Sequence, residues 1–267
     1  MSKVKIVIIG AGSVSFGLTN LGAFLRRPEL KGGMLCLVDI NAEGLKSITR
    51  LAERINREWQ AGFTIRSSTD RQELLPSADF VVLSVAVDRE KCWRMDHETA
   101  KSYGIMHYAE NAGPGGLMHT IRNIALIMPI LRDIENLCPN AWVLNFTNPV
   151  SRICSAAARY TKVKMIGICH QLEFGYMLVG KVLAESLSLD VPADYLYRWD
   201  DISMKYYNEI TQAAQSKIDI VAAGINHFTW MLSIRDKVTG QDLYPRFMKR
   251  YKESFHEFEP LTRILYF

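Results

Sequence analysis

The residues with most chemical promise sit where apolar runs end. The stretch "KMIGICHQLEFG" carries a strand-like run straight into Cys169 and His170. A cysteine is a soft metal ligand, and imidazole exchanges a proton near neutral pH. The plainer alternatives are a buried strand-end thiol and a residue that merely starts a helix. "VLNFTNPVSRI" ends another run with Asn145 and Asn148, the second followed by a proline that fixes the turn. Such asparagines either offer their amides to a ligand or only cap the turn. "AAGINHFTW" places Asn226 and His227 beyond a third run. His97, His107, His119 and His256 have less context, and a packed or solvated role fits each.

A cofactor site is legible nearer the start. "KIVIIGAGSVSFG" runs an apolar strand into Gly10, Gly12 and Ser13, with Ser15 where the third glycine of a G-x-G-x-x-G turn would stand. The glycines allow a tight turn and let a pyrophosphate approach the backbone, and the next helix offers its first N–H groups. Asp39 closes the second apolar run, 27 residues beyond Gly12. A carboxylate there suits two ribose hydroxyls and repels a 2′-phosphate, which favours NAD over its phosphorylated counterpart. The glycine pair alone fits any tight strand-to-helix turn. The acid at the next strand end makes it a nucleotide signature.

These residues need a scaffold that gathers strand ends along one edge. "KIVIIG", "GMLCLVDI", "DFVVLSVA", "AWVLNFT" and "KMIGIC" read as strands. Between them "LTNLGAFLRR", "AEGLKSITRLAERINREW", "LMHTIRNIALIMPILRDIENLC" and a segment from Ser151 read as helices. The alternation predicts an α/β fold, a Rossmann-like, doubly wound parallel sheet. Ligands bind outside the carboxyl ends of such strands, so the stretches after Leu144 and Ile168 should face one cleft. "YAENAGPGGLMHTIRNI" adds Asn111 and a Gly-Pro-Gly-Gly loop before a helix. From about Gly175 the pattern changes. "GYMLVGKVLAESL" is helical, and "KIDIVAAGIN" and "FTWMLSIRDKVTGQDLY" read as strands joined through a Thr-Gly turn. The expected division is a dinucleotide-binding domain over 1–170 and a smaller α+β domain over 171–267. The second ends inside the apolar "LTRILYF" and reads as truncated, with open strand edges and an uncovered apolar face expected there and around "IDIVAAGIN".

Composition removes several classes. Hydrophobic residues make up 48% and charged residues 22%, the balance of a water-soluble globular chain. The net charge of +4 comes from interspersed residues with no basic run, which argues against nucleic acid. No apolar segment is long enough to span a membrane, and the expected location is the cytoplasm. Five cysteines without paired spacing argue against a disulfide framework and against a zinc ribbon.

The pieces "KIVIIGAGS", "NAGPGG", "NFTNPV", "GICH" and "GINHF", in that order, resemble glycoside hydrolase family 4, the NAD- and metal-dependent glycosidases. The resemblance runs over essentially the whole chain, and the combination is specific where each piece alone is not. It implies a fold akin to lactate and malate dehydrogenases, NAD as cofactor, and a divalent metal, commonly Mn(II). Carried over by motif, Cys169 and His227 hold the metal, Asn148 and Asn111 contact the sugar, and Asn145 lies with Gly10, Gly12, Ser13 and Asp39 at the cofactor. His170 is the candidate acid for the departing group, and the family's tyrosine base points towards Tyr266. The implied reaction departs from the two-carboxylate scheme of most glycosidases. Carbon 3 of the sugar gives a hydride to NAD, and the ketone acidifies the proton on carbon 2. A base removes that proton beside the Lewis-acidic metal, the group on carbon 1 leaves, water adds, and the hydride returns. A dimer or tetramer is the oligomer the resemblance suggests.

"Cys-His" at the metal position resembles members acting on unphosphorylated glycosides: α-galactosidases, α-glucosidases and α-glucuronidases. An α-galactoside is the leading expectation. Two features depart from the family pattern. Cys169 and His227 stand 58 residues apart, which implies an inserted segment around "SLDVPADYLYRWDDISMKYYNE". The family's chains also run well beyond this length, leaving the base and part of the second domain's core unaccounted for. Two other readings share the opening motif: a 2-hydroxyacid dehydrogenase of the lactate or malate type, and a non-catalytic NAD-binding protein.

Overall fold

In the computed structural model, which describes residues 3–13, 17–106, 113–191, 201–226 and 228–253, the apolar runs of the first part become parallel strands. The strands are β1 (Lys5–Ile9), β2 (Met34–Val38), β3 (Thr64–Ser68), β4 (Phe80–Leu83), β5 (Trp142–Asn145) and β6 (Lys164–Gly167). They form one sheet in the order β3-β2-β1-β4-β5-β6. The chain winds outwards from β1 in both directions, so the switch in strand order lies between β1 and β4. That is where a crevice opens in such sheets.

The inner strands β1, β2 and β4 are apolar almost throughout because both faces are covered, whereas the edge strands β3 and β6 are largely exposed. Val7 and Ile9 of β1 join Val81, Leu83 and Val143 in a core with Ile127, Ile130, Leu131 and Ile134 of α4 (Gly113–Leu137) and Ile153 of α5 (Val150–Tyr160). Ile6 and Ile8 turn the other way, with Leu35, Leu37 and Val82, against α1 (Gly17–Leu25) and α2 (Ala42–Glu58). The period of two in strand direction sorts one apolar run between two layers. Asn41 caps α2, its side chain accepting from the Gly44 N–H at 3.1 Å.

The local reading needs two corrections here. Gly113, Pro114, Gly115 and Gly116 are not a loop before a helix but the first turn of α4, where Gly115 and Gly116 are buried. Proline tolerates a first turn because its missing N–H would have no partner there. The helix α3 (Arg89–Ser102) has no counterpart in the sequence reading, since its mean composition is polar and its only buried residue is Ala100.

Contacts divide the chain into two units, Met1–Ile168 and Cys169–Phe267. The second contains α6 (Gln171–Val182), α7 (Ala184–Leu187), α8 (Asp201–Lys217), the antiparallel pair β7 (Ile218–Ile225) and β8 (Phe228–Asp236), and α9 (Tyr244–Glu253). Met177, Leu178, Ile210, Ala214, Ile218, Ile234 and Phe247 fill its core. A Cβ on Gly180 of α6 would lie 2.9 Å from Ile210 Cγ2 of α8, so glycine sets how closely these helices approach. The stretch read as an inserted segment therefore supplies a core helix. The Thr239–Gly240 turn also differs from expectation. It follows β8 and leads to a bridge between Arg235 and Asp242, while β7 ends at Ile225 and β8 begins at Phe228. Val221, Ile225, Trp230 and Leu232 of this pair are exposed. Among the described residues no helix is long and apolar enough to cross a membrane.

Candidate functional site

Register sets the site. Ile9 is level with Val38 and Leu83, Leu83 with Asn145, and Asn145 with Gly167, so the residues just beyond them share one edge of the sheet. At the end of β1, Gly10 adopts φ +86°, and its N–H and that of Ala11 donate to the Val38 carbonyl at 2.9 and 3.0 Å. A Cβ on Gly10 would fall 2.1 Å from the Ser84 carbonyl oxygen, so only glycine fits.

Asp39 clasps the turn. Its Oδ2 accepts the Gly12 N–H at 2.8 Å, and its Oδ1 accepts the Asn41 N–H at 2.9 Å. Each carboxylate oxygen keeps a second lone pair for a ribose hydroxyl. Ile40 beside it is 79% exposed, an apolar surface next to the carboxylate. Gly17 is a residue the sequence reading missed. A Cβ there would sit 2.6 Å from the Ala11 carbonyl oxygen, so Gly17 supplies the close helix-to-turn packing expected of the absent third glycine. The signal was a glycine displaced by two positions from the usual spacing. This turn and its acid fit a dinucleotide by their own chemistry.

Across the switch point, a crevice with about 380 Å³ of space open to solvent is lined by Ser13, Ser84, Arg89, His119, Asn123 and Asn148, among others. Thr147 shapes its floor by accepting the Val85 N–H on Oγ1 at 2.9 Å, tying the turn after β4 to that after β5. Asn145 is 0% exposed. Its Nδ2 donates to the Thr147 carbonyl at 3.0 Å, and its Oδ1 accepts the Thr147 N–H at 3.1 Å. Asn145 thus braces the turn from within, and its neighbour Asn148 is the one that lines the crevice. The Asn148–Pro149 peptide is cis.

The crevice wall is held by side chains from α3 and α4. His119 is 4% exposed, and Trp93 Nε1–H donates to its Nδ1 at 3.2 Å. Desolvation, then the charges of Arg89 and Arg122, push its pKa down to about 4, so it is neutral at pH 7. Arg122 binds Asp96 through two bonds of 3.0 and 3.2 Å, joining the two helices. The sequence offered no reason to single out Arg89, since α3 was not legible as an element, and His119 of α4 gains its buried setting from packing against Trp93 of that helix.

Cys169 is exposed and opens the second unit. His170 precedes α6, its Nε2 4.0 Å from Glu173 Oε2. Thr229 Oγ1 on β8 donates to Gln171 Oε1 at 3.0 Å, so the start of α6 and the start of β8 are neighbours. Asn111, His227 and Tyr266 lie outside the described residues. Among the described residues no group of three or more His, Cys, Asp and Glu side chains forms a metal-ligand cluster.

Comparison with known proteins places this geometry. The model of "Family 4 glycosyl hydrolase" matches residues 5–185, and that of its C-terminal domain matches residues 222–264. The chain belongs to glycosyl hydrolase family 4. An alpha-glucosidase of Erwinia rhapontici is 33% identical over 243 residues, covering 90% of this family 4 chain and 48% of the relative. An alpha-galactosidase of Bacillus subtilis (strain 168) is 32% identical, covering 94% of the chain and 51% of the relative. The chain thus spans about half the length of these curated relatives. Among solved structures, a 6-phospho-alpha-glucosidase from gut microorganisms, in complex with NAD and Mn2+, matches with TM-score 0.74 at 24% identity, covering 95% of the chain and 51% of its own. A malate dehydrogenase from Plasmodium falciparum matches with TM-score 0.61 at 14% identity, covering 97% and 67%. These two likenesses show the fold, which is the dehydrogenase-like architecture expected from the alternating pattern.

Proposed function

We propose that this family 4 chain carries the cofactor and substrate machinery of an NAD- and Mn(II)-dependent glycosidase. The reaction is hydrolysis by transient oxidation at carbon 3 and elimination across carbons 2 and 1. An α-galactoside or related unphosphorylated glycoside is the substrate. The observation that carries the reading is one crevice lined both by Ser13, from the cofactor turn, and by Asn148, at the sugar position. Hydride transfer requires cofactor and sugar to share a site, and this crevice lets them meet.

NAD, when bound, supplies a reversible hydride acceptor, and a divalent ion supplies Lewis acidity beside the carbonyl. The chain's own groups do the rest. The glycines of the Gly10–Ser13 turn let the pyrophosphate approach the backbone, and Asp39 takes the adenosine ribose. Asn148 orients the sugar hydroxyls. Cys169 and His227 would hold the ion, as a thiolate and an imidazole. The Thr229–Gln171 bond supports this pairing, since those residues lie two positions beyond His227 and Cys169. His170 delivers the proton to the departing oxygen, and Tyr266 is the candidate base at carbon 2. Solved family members in complex with NAD and Mn2+ or with glucose-6-phosphate add support from similarity alone. A dimer or tetramer is the expected assembly.

The test is turnover of a chromogenic α-galactoside with NAD and Mn(II) supplied separately and together. Product should appear only with both, and no NADH absorbance should accumulate. Stoichiometric NADH would instead mark a simple dehydrogenase, the alternative that the family match disfavours.

A further inference from the structure

Among the described residues lining the crevice, Arg89 alone carries a charge at neutral pH, because His119 is held neutral. No carboxylate forms an ion pair with Arg89 among the described residues. Asp96, two turns further along the same helix, is already committed to both terminal nitrogens of Arg122. A half-buried cation without an anion is costly unless something completes it.

Its position is fixed rather than adventitious. Thr147 ties down the turn after β4 through Val85, and Asp88 then takes a left-handed φ of +47°, a conformation non-glycine residues avoid. That turn starts α3 at Arg89. One helical turn on, the Arg89 guanidinium lies over the Trp93 ring, 4.0 Å from its centroid. Trp93 is in turn held by its bond to His119, and His119 is clasped by Asn123. A guanidinium laid on an indole spends its face on the ring and keeps its edge N–H donors for a planar partner. A single fork of that kind matches the two oxygens of one carboxylate.

We propose that Arg89 is a specificity-determining residue that receives a carboxylate on carbon 6 of the sugar, so that the glycoside is a uronoside. The proposal rests on the glycosidase reading above. Carbons 1, 2 and 3 are occupied by the reaction, and in a hexose the carbon left to bear a carboxylate is carbon 6. A phosphate in the same place would bring a second negative charge, and the crevice shows no second cation for it among the described residues.

The experiment is titration calorimetry of galacturonate, galactose and galactose 6-phosphate into the full chain loaded with NAD and Mn(II), for wild type, Arg89→Gln and Arg89→Lys. Galacturonate should bind about tenfold or more tighter than galactose in wild type, the scale of a hydrogen-bonded charge pair. Arg89→Gln should erase that preference while leaving galactose and NAD affinities unchanged, and Arg89→Lys should restore it only in part. NAD titration also reports that each variant is folded. Equal binding of galacturonate and galactose in wild type overturns the proposal and leaves the glycosidase reading standing. So does tightest binding of the phosphosugar, or a loss of NAD affinity in Arg89→Gln, which would make Arg89 a cofactor contact. If NAD binds but no sugar does, the glycosidase reading falls and the proposal with it.

Discussion

Replacing Asp39 with alanine separates two jobs that one carboxylate performs. In the folded chain its oxygens accept the Gly12 and Asn41 N–H groups at 2.8 and 2.9 Å, which pins the cofactor turn to the end of β2. Bonds to a charged acceptor contribute roughly 1.5–3 kcal/mol when water is excluded. Asp39 is only half-buried, so water replaces much of what is lost, and the expected destabilisation is about 1 kcal/mol. NAD should suffer more, because its ribose loses the acceptor and the Gly12 turn loses its brace together. The expected weakening is roughly 1–3 kcal/mol, or about 5- to 150-fold in Kd. Asp39→Asn keeps one oxygen for the Gly12 N–H and should fall between wild type and alanine. Removing the negative charge should also raise the affinity for the 2′-phosphorylated cofactor relative to NAD. Calorimetry with both cofactors, alongside urea unfolding, reads all of this. An unchanged NAD affinity in Asp39→Ala, with the protein folded, would refute the assignment of the adenosine ribose to this carboxylate.

Gly17→Ala should destabilise the first unit by about 1–3 kcal/mol, because its methyl would lie 2.6 Å from a backbone oxygen that cannot swing away; urea unfolding measures it. The buried His119 has a folded pKa near 4 against an ordinary 6.5, so the stability it contributes as a neutral group is complete above pH 6.5 and is lost as pH falls towards 4. The swing should approach about 3 kcal/mol, and His119→Gln should flatten that part of the stability-against-pH curve; an identical curve in the variant would show that another group titrates there.

The first unit was legible because its physics is local. Both faces of β1 are covered, so Ile6–Ile9 is apolar without a break, and the glycines and Asp39 mark its end and that of β2. What escaped was set by tertiary contact. Arg89 and His119 gain their environment from the packing of α3 against α4, and α3 shows a polar face to solvent along most of its length. Asn145 and Asn148 are indistinguishable in sequence as strand-end asparagines. Register decides between them: Asn145 is the last residue of β5 and turns inward, whereas Asn148 lies past the turn that Asn145 braces.

The second unit shows how residues far apart along the chain come close together. Cys169 and His227 are 58 residues apart, and counting residues suggests an insertion that separates them. The intervening chain instead goes out along α6 and returns through α8 and β7, with Gly180 allowing α6 and α8 to pack closely. A Cβ on Gly175 of α6 would come within 2.9 Å of Met231 Cε on β8, so the returning strand lies directly against the helix that follows Cys169. The Thr229 hydroxyl then reaches Gln171 at 3.0 Å. A helix out and a hairpin back cost sequence length, not distance. The core formed by Met177, Ile210, Ile218 and Ile234 draws the start of α6 and the start of β8 together, whatever number of residues the loop between them contains.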